Sequence, residues 1–419
     1  MENEQERELH EKCNDYCSFC GGYIEALLES NPIATFISID NKDVICSNCV
    51  NTFADALDDL DNESNESFDF NFNKKPKDIV DELNKVIVGQ ERAKRSLALA
   101  AYQHYKRVSS GQELDKNNIL LVGPTGSGKT LMAKTLAKSL NVPCYIVRAT
   151  SITEAGYQGD DVESIIEGLL EKAGGNPELA ALGIVFIDEI DKISKAPGGT
   201  GKDVSGLGTQ NALLTLLEDD DVVAYKKSDF KPTVTVNTKN ILFIASGAFS
   251  GIGQIANKRT STHKPSIGFN AEAKKQITDQ EFDMLELRNE DFVEYGLVPE
   301  FVGRFPVMSS LQGLSVDDIE KVITEPENSI FKQYQTLFKN EKTTLKIEPE
   351  AFIEIAKLAL KNKTGARGLK GIFNYFFEDA LFEAASNQLT KTCFLSKDDV
   401  IHNRRAIIKM ANRKRQVTA

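Results

Sequence analysis

Residues 118–130 read NILLVGPTGSGKT. An apolar run, Ile119 to Val122, meets a glycine-rich turn and then Lys129 and Thr130. The spacing is Gly-x-x-x-x-Gly-Lys-Thr, a P-loop, with the strand before it and the helix after it that the motif requires. Gly123, Gly126 and Gly128 permit backbone angles that a Cβ would block. Bare N–H groups then wrap a phosphate chain, aided by the positive end of the helix that begins near Lys129. Lys129 is expected to reach the β- and γ-phosphates and Thr130 to hold Mg²⁺. The expected ATP/ADP contacts therefore run over Gly123, Pro124, Thr125, Gly126, Ser127, Gly128, Lys129, Thr130 and Leu131.

A second element supports this reading. Ile184-Val-Phe-Ile187 is a buried apolar strand that ends in Asp188-Glu189. This is the Walker B pattern, with Asp188 binding Mg²⁺ through water and Glu189 polarising the attacking water. Further strands are expected at Cys144–Val147 and at Asn240–Ala245, the latter ending at Ser246. Helices are expected over Lys77–Leu83 and from Glu91 to Arg107. Strands alternating with helices imply an α/β fold whose parallel sheet carries nucleotide at its carboxyl edge.

The chain has 419 residues, enough for two to four domains, and 41% of them are hydrophobic. Its net charge of −12 argues against a nucleic-acid partner. No apolar run of 18 residues exists, so no membrane span is expected. The start, MENEQERELHEK, is charged and lacks the apolar core of a secretory signal. A cytoplasmic protein is expected, or one of an organelle interior after removal of a transit peptide. Cysteines in that setting are thiols or metal ligands rather than disulfides.

Cys17-Ser-Phe-Cys20 and Cys46-Ser-Asn-Cys49 are two C-x-x-C pairs separated by residues 21–45. Four thiolates make a closed, structural Zn²⁺ site. Metal binding would stabilise a segment too small to fold on its core alone. Cys13, four residues before Cys17, is a competing ligand. Cys144 and Cys393 read as buried thiols. Residues 55–73 turn acidic and polar, the composition of a flexible linker.

Beyond the linker, Ser315-x-x-Asp318 is a capping box that opens a helix. Helical periods continue through Glu350–Leu360 and Gly368–Phe377, giving a small α-rich domain after a hinge near Leu311–Leu314. Residues 401–419 carry six Lys/Arg and no acids, which reads as a disordered basic tail. Val223–Val236 reads as a β-hairpin, and Ser250–Gln276 as a polar insertion of little periodicity. The expected domains are 1–54 (zinc-binding), 55–74 (linker), 75–312 (ATPase), 313–405 (lid) and 406–419 (tail).

VGQ (88–90), GPTGSGKT (123–130), FIDEIDKI (186–193), PEFVGRFP (299–306) and TGARGLK (364–370), in this order and with the zinc pairs, resemble the ClpX family. Its members are hexameric AAA+ unfoldases that feed proteins to the ClpP peptidase. The resemblance covers almost the whole chain and implies an AAA+ module, a lid and a zinc domain. It implies that Arg304 is the arginine finger reaching the γ-phosphate of a neighbouring subunit. It implies that Arg367 is the sensor-2 arginine and that Val88, Gly89 and Gln90 line the adenine pocket. Gly156-Tyr157-Gln158-Gly159 matches the axial pore loop, whose aromatic packs on any peptide without reading sequence. Gln158 stands where the family has valine, which bears on grip or substrate preference. Lys195–Gly208 resembles the second pore loop. Lys226-Lys227-Ser228 stands where the family has a basic loop at the pore entrance, and its bases are only partly retained. Ile267-Gly268-Phe269 matches the tripeptide that docks on ClpP.

The function implied is an ATP-dependent unfoldase acting in a homohexamer with ClpP. Its substrates would be proteins with exposed degrons, and adaptors would be received through the zinc domain. The alternatives are a protein-remodelling chaperone without a protease and an ATPase acting on nucleic acid. The Tyr157 loop and the acidic balance favour protein over nucleic acid, and the Ile267-Gly268-Phe269 loop favours a peptidase partner. No protease constellation is evident around the four histidines, so the chain is expected to have ATPase but no peptidase activity.

Overall fold

A computed structural model describes residues 16–21, 23, 36–39, 43–47, 49–53, 72–110, 115–152, 162–194, 204–218, 221–225, 233–262, 287–362, 364–386 and 391–410. It divides into two units, residues 1–70 and 71–419.

In the first unit, β1 (Phe36–Ile39) and β2 (Asp43–Cys46) pair antiparallel, with Phe36 opposite Cys46. A tight turn follows Cys17, closed by Gly21 N–H donating to Cys17 O at 2.9 Å. Gly21 sits at φ +68°, a left-handed angle that suits glycine.

The second unit is built on a five-stranded sheet. Its strands are β3 (Ile119–Val122), β4 (Cys144–Arg148), β5 (Ile184–Asp188), β8 (Leu242–Gly247) and β9 (Val307–Ser310). Their order is β4-β5-β8-β3-β9 and every pairing is parallel. Between them, β6 (Asp221–Tyr225) and β7 (Thr233–Asn237) form the expected antiparallel hairpin. The central strands are buried on both faces, which explains their unbroken apolar runs. Helices Lys129–Leu140 and Val162–Lys172 make the crossovers from β3 to β4 and from β4 to β5. β9 was not anticipated: it is four residues long, and only Ser309 within it is buried, so it leaves little pattern in the sequence.

The order of strands positions the site. β8 lies between β3, which leads into the P-loop, and β5, which ends in the two carboxylates. The loops at these adjacent carboxyl ends share one crevice. The opposite end is closed by polar ties. His104 Nε2 lies 2.9 Å from Asn240 O, and Arg107 Nη2 and Lys116 Nζ donate to Lys239 O and Thr238 O at 2.6 and 2.8 Å. Burial pushes His104 down to about 3, so the ring is neutral, and Nε2 carries the hydrogen its carbonyl partner needs.

The hinge is a close backbone contact. Leu311 N–H donates to Val122 O at 2.7 Å, and a Cβ on Gly123 would collide with Leu311 O. Beyond it, Ser315 caps helix Val316–Thr324 in a capping box with Asp318, as expected. Helices Ile330–Asn340, Pro349–Lys361 and Leu369–Ser386 then enclose an aromatic core.

The small domain is α-rich as expected, and two finer expectations need correction. The small domain also holds a sheet of β10 (Thr343–Ile347), β11 (Lys391–Leu395) and β12 (Ile407–Met410). The proposed tail therefore begins with an ordered strand, because Ile407 and Ile408 pair with Phe394 and Cys393. The polar insertion begins with a helix, Ile252–Thr262. That helix buries little beyond Ile252 and Ala256 and is anchored by Arg259, paired with Asp291 at 2.8 and 3.0 Å. A helix held by an ion pair leaves a weak apolar period.

Phe377 is fully buried, with Tyr334, Phe338 and Phe373 rings at 5.6, 6.0 and 5.6 Å. Phe377→Ala should cost about 3–5 kcal/mol of small-domain stability. Denaturant unfolding followed by circular dichroism reads this, since the chain has no tryptophan.

Candidate functional site

The P-loop turns between β3 and helix Lys129–Leu140. Gly126 and Gly128 sit at φ +85° and +102°, and Gly128 is the residue that opens the helix. These left-handed angles aim successive N–H groups into one concavity. Ser127 is buried, and its Oγ has no hydrogen-bond partner among the described residues. An unmet polar atom inside a glycine cradle fits a phosphate-bearing ligand. Lys129 Nζ donates to Gly123 O at 2.6 Å and to Pro124 O at 3.0 Å, folding back over the loop. Burial lowers its pKa, with Arg367 adding to this effect and Asp188 opposing it.

Asp188 is the meeting point. Its Oδ1 accepts from Ser246 Oγ at 2.6 Å and from Glu189 N–H at 2.9 Å, and its Oδ2 accepts from Thr130 Oγ1 at 3.2 Å. Thr130 and Asp188 are thus adjacent oxygen donors of the hard kind that Mg²⁺ takes. Glu189 follows at φ +62°, a strained angle for a side-chain-bearing residue and one that recurs at working sites. Thr150 Oγ1 lies 3.5 Å from Glu189 Oε2. Asp191, nearly buried, accepts from Ala248 N–H at 3.1 Å and so fixes the turn after Glu189 to the end of β8. Ser246, Thr150 and Asp191 were not among the expected site residues. Only for Ser246 did the sequence hold a signal: a small polar residue ending a buried strand.

The small domain closes one side. A Cβ on Gly126 would stand 3.4 Å from Thr364 O, and Arg367 follows in the short helix Gly365–Gly368. Val88 and Gly89 line a cavity of about 440 Å³ with Asp318 and Lys321 of the small domain. Beside them, Gln90 Nε2 donates to Gln312 O at 2.8 Å and its Oε1 accepts from Gln312 N–H at 2.9 Å. Its amide therefore clasps the hinge.

Arg304 does not join this group. It caps helix Pro299–Gly303, and its carbonyl accepts from Asn118 Nδ2 at 3.1 Å. Asn118 precedes β3 and Gly123 follows it, a separation of roughly 16 Å along an extended strand. Arg304 instead pairs with Glu218. The expected residues Gly156, Tyr157, Gln158 and Gly159, Ile267, Gly268 and Phe269, Lys226–Ser228, the first part of Lys195–Gly208, and Cys13 lie outside the described residues. Val204–Gly208 is the start of helix Val204–Leu217.

In the first unit, the Sγ atoms of Cys17, Cys20, Cys46 and Cys49 all lie within 4.8 Å of one another. Cys17–Cys49 and Cys20–Cys46 are each 3.9 Å apart. A tetrahedron with Zn–S bonds of about 2.3 Å needs sulfurs about 3.8 Å apart, so the cluster fits zinc. Burial pushes the Cys17 thiol up, but backbone hydrogen bonds from Cys20, Cys46 and Phe19 outweigh it and bring it down to about 6. Cys49 is pushed up to about 12 by its hydrogen bond with Cys46. The four sulfurs cannot all ionise without a cation to offset their repulsion. The purified protein should carry one zinc per chain by elemental analysis. Cys20→Ser should lose most of it, and zinc should be released as the pH falls, because protons compete for the thiolates.

Comparison with known proteins agrees with this geometry. Residues 114–308 match the family described as AAA domain (Cdc48 subfamily), and residues 314–393 match the C-terminal, D2-small domain, of ClpB protein. The chain is 43% identical over 341 residues to proteins named ATP-dependent Clp protease ATP-binding subunit ClpX from Borrelia duttonii (strain Ly) and Borrelia recurrentis (strain A1). In each case 78% of this chain and 78% of the relative are covered. A P-loop and an acidic strand end meeting at Asp188, a small domain closing over them and a four-cysteine cluster are the parts such an ATPase needs, and the chain belongs to the ClpX family of AAA+ ATPases.

Proposed function

We propose that this chain is the ATP-driven unfoldase subunit of a two-component protease. It would act as a homohexamer that threads tagged proteins through an axial pore into the ClpP peptidase. The observation that carries the reading is the position of Arg304. Lys129, Thr130, Asp188 and Glu189 lie together at the carboxyl edge of the sheet, whereas Arg304 is anchored beside the start of β3 and half exposed. A finger placed there serves another copy, so hydrolysis depends on assembly. The printed names of the relatives, as ATP-binding subunits of a Clp protease, support the peptidase partner.

The residue roles follow. Gly123–Leu131 hold the nucleotide and Lys129 neutralises its terminal phosphates. Thr130 and Asp188 would hold Mg²⁺, which supplies charge neutralisation at the phosphates when bound. Glu189 takes the proton of the attacking water. Arg367, whose field already reaches Lys129, reports nucleotide to the small domain. Val88 and Gly89 border the base. Tyr157, between Gly156 and Gly159 and beside Gln158, is the paddle on the polypeptide. Ile267, Gly268 and Phe269 dock on the peptidase, with the aromatic as the anchor. The zinc unit, with Phe19 and Phe53 exposed in edge contact at 4.3 Å, receives substrates or adaptors.

The test is degradation of a stably folded, tagged protein by this chain with ClpP and ATP. The wild type should degrade it, and Glu189→Gln should bind ATP yet turn it over at least about 100-fold more slowly. Phe269→Ala should keep ATPase activity and lose degradation, and Tyr157→Ala should keep assembly and lose pulling on stable substrates. ATP turnover at full rate by an isolated subunit would remove the shared-site reading.

A further inference from the structure

The helix Val204–Leu217 carries two polar contacts that the reading above does not use. Gln210 lies on it and is completely buried. Its Nε2 donates to Ile193 O at 2.8 Å, and its Oε1 accepts from Val298 N–H at 2.7 Å. Ile193 ends the short helix Ile190–Ile193 that directly follows Glu189. Val298 is the capping residue of helix Pro299–Gly303, which ends at Arg304. One side-chain amide therefore joins the turn after the Glu189 carboxylate to the helix that carries Arg304. A buried amide with donor and acceptor both matched fixes two backbone segments in register, since either slipping leaves a polar group unmet.

Glu218 comes directly after the same helix, its N–H bonded to Leu214 O at 3.0 Å. Its carbonyl accepts from Thr238 Oγ1 at 3.0 Å, and its carboxylate takes Arg304 Nη2. Among the described residues Nη2 is the only guanidinium nitrogen of Arg304 engaged, so Nη1 and Nε remain available to a phosphoryl oxygen. With Asn118 on the Arg304 carbonyl, the arginine is held at its backbone, at its side chain and at the start of its helix.

We propose that Gln210 and Glu218 are positioning residues for Arg304. Gln210 sets the helix that bears the arginine against the turn of its own subunit's ATP site, and Glu218 aims the guanidinium toward the neighbour's phosphates. The pair is exposed enough to be only weakly held, which suits preorganisation rather than locking. Because Gln210 touches the turn after Glu189, a shift of that turn in one subunit displaces the arginine serving the next. This is a physical link by which adjacent sites can fire in sequence. The proposal rests on reading Arg304 as a finger acting on another copy.

The test uses full-length assembled protein and single-turnover hydrolysis of radiolabelled ATP, sensitive enough to read a fingerless hexamer. Arg304→Ala should lower the rate by about 10³-fold or more. Gln210→Met, similar in volume but unable to make either bond as the amide does, should lower kcat by about 100-fold, and Glu218→Gln by about tenfold. KM for ATP should stay within about twofold in both, since only transition-state contacts are lost. Neither change should lower the rate further when added to Arg304→Ala. A Glu218→Gln hexamer with unchanged kcat, or losses that add fully to that of Arg304→Ala, would overturn the proposal while leaving the finger intact. Wild-type turnover by Arg304→Ala would instead overturn the finger reading. Should Gln210→Met fail to assemble, Glu218→Gln decides alone, because its side chain is half exposed and outside the core.

Discussion

The carboxylate of Asp188 is the point on which the catalytic crevice depends. It ends β5, yet its oxygens are held by the hydroxyl of Ser246 from β8, by the N–H of Glu189 and by the hydroxyl of Thr130 from the P-loop helix. Two segments distant in sequence, β8 and the P-loop helix, are thereby tied to one carboxylate. Hydrogen bonds to a carboxylate are about twice as strong as neutral ones, so these contacts tie the crevice together. The strand order makes this possible, because β8 separates β5 from β3 by one strand width on each side.

A second constraint governs movement. The P-loop does not stand clear of the small domain. Gly123 lies against the carbonyl of Leu311, the amide of Gln90 pairs with the backbone of Gln312, and Gly126 faces Thr364. A ligand that spreads the loop or draws in Arg367 acts on both sides of the hinge. The connection is narrow, and the domains it joins have separate, well-filled cores.

The first unit follows different physics. Cys17 and Cys46 are buried in it, while Phe19, Tyr23 and Tyr16 are exposed. The sulfurs of Cys17, Cys20, Cys46 and Cys49, all within 4.8 Å of one another, form a cluster compatible with zinc. The order of the second unit rests instead on apolar burial.

The sequence by itself determined the P-loop, the Asp188-Glu189 strand end, the cysteine pairs and the capped start of the small domain. Each is a local pattern whose chemistry depends on residues close together in the chain. It did not reveal Ser246 on Asp188, Gln90 on the hinge, the helix anchored by Arg259 on Asp291, or β12 pairing with β11. These are pairings across long stretches of chain, and nothing in the periodicity of either partner names the other. The placement of Arg304 shows the division best. The arginine could be picked out by resemblance, but its distance from its own P-loop was decided by the tertiary structure. Asn118 fixes its backbone at one end of β3 and the glycine turn begins at the other, and strand geometry keeps those ends apart.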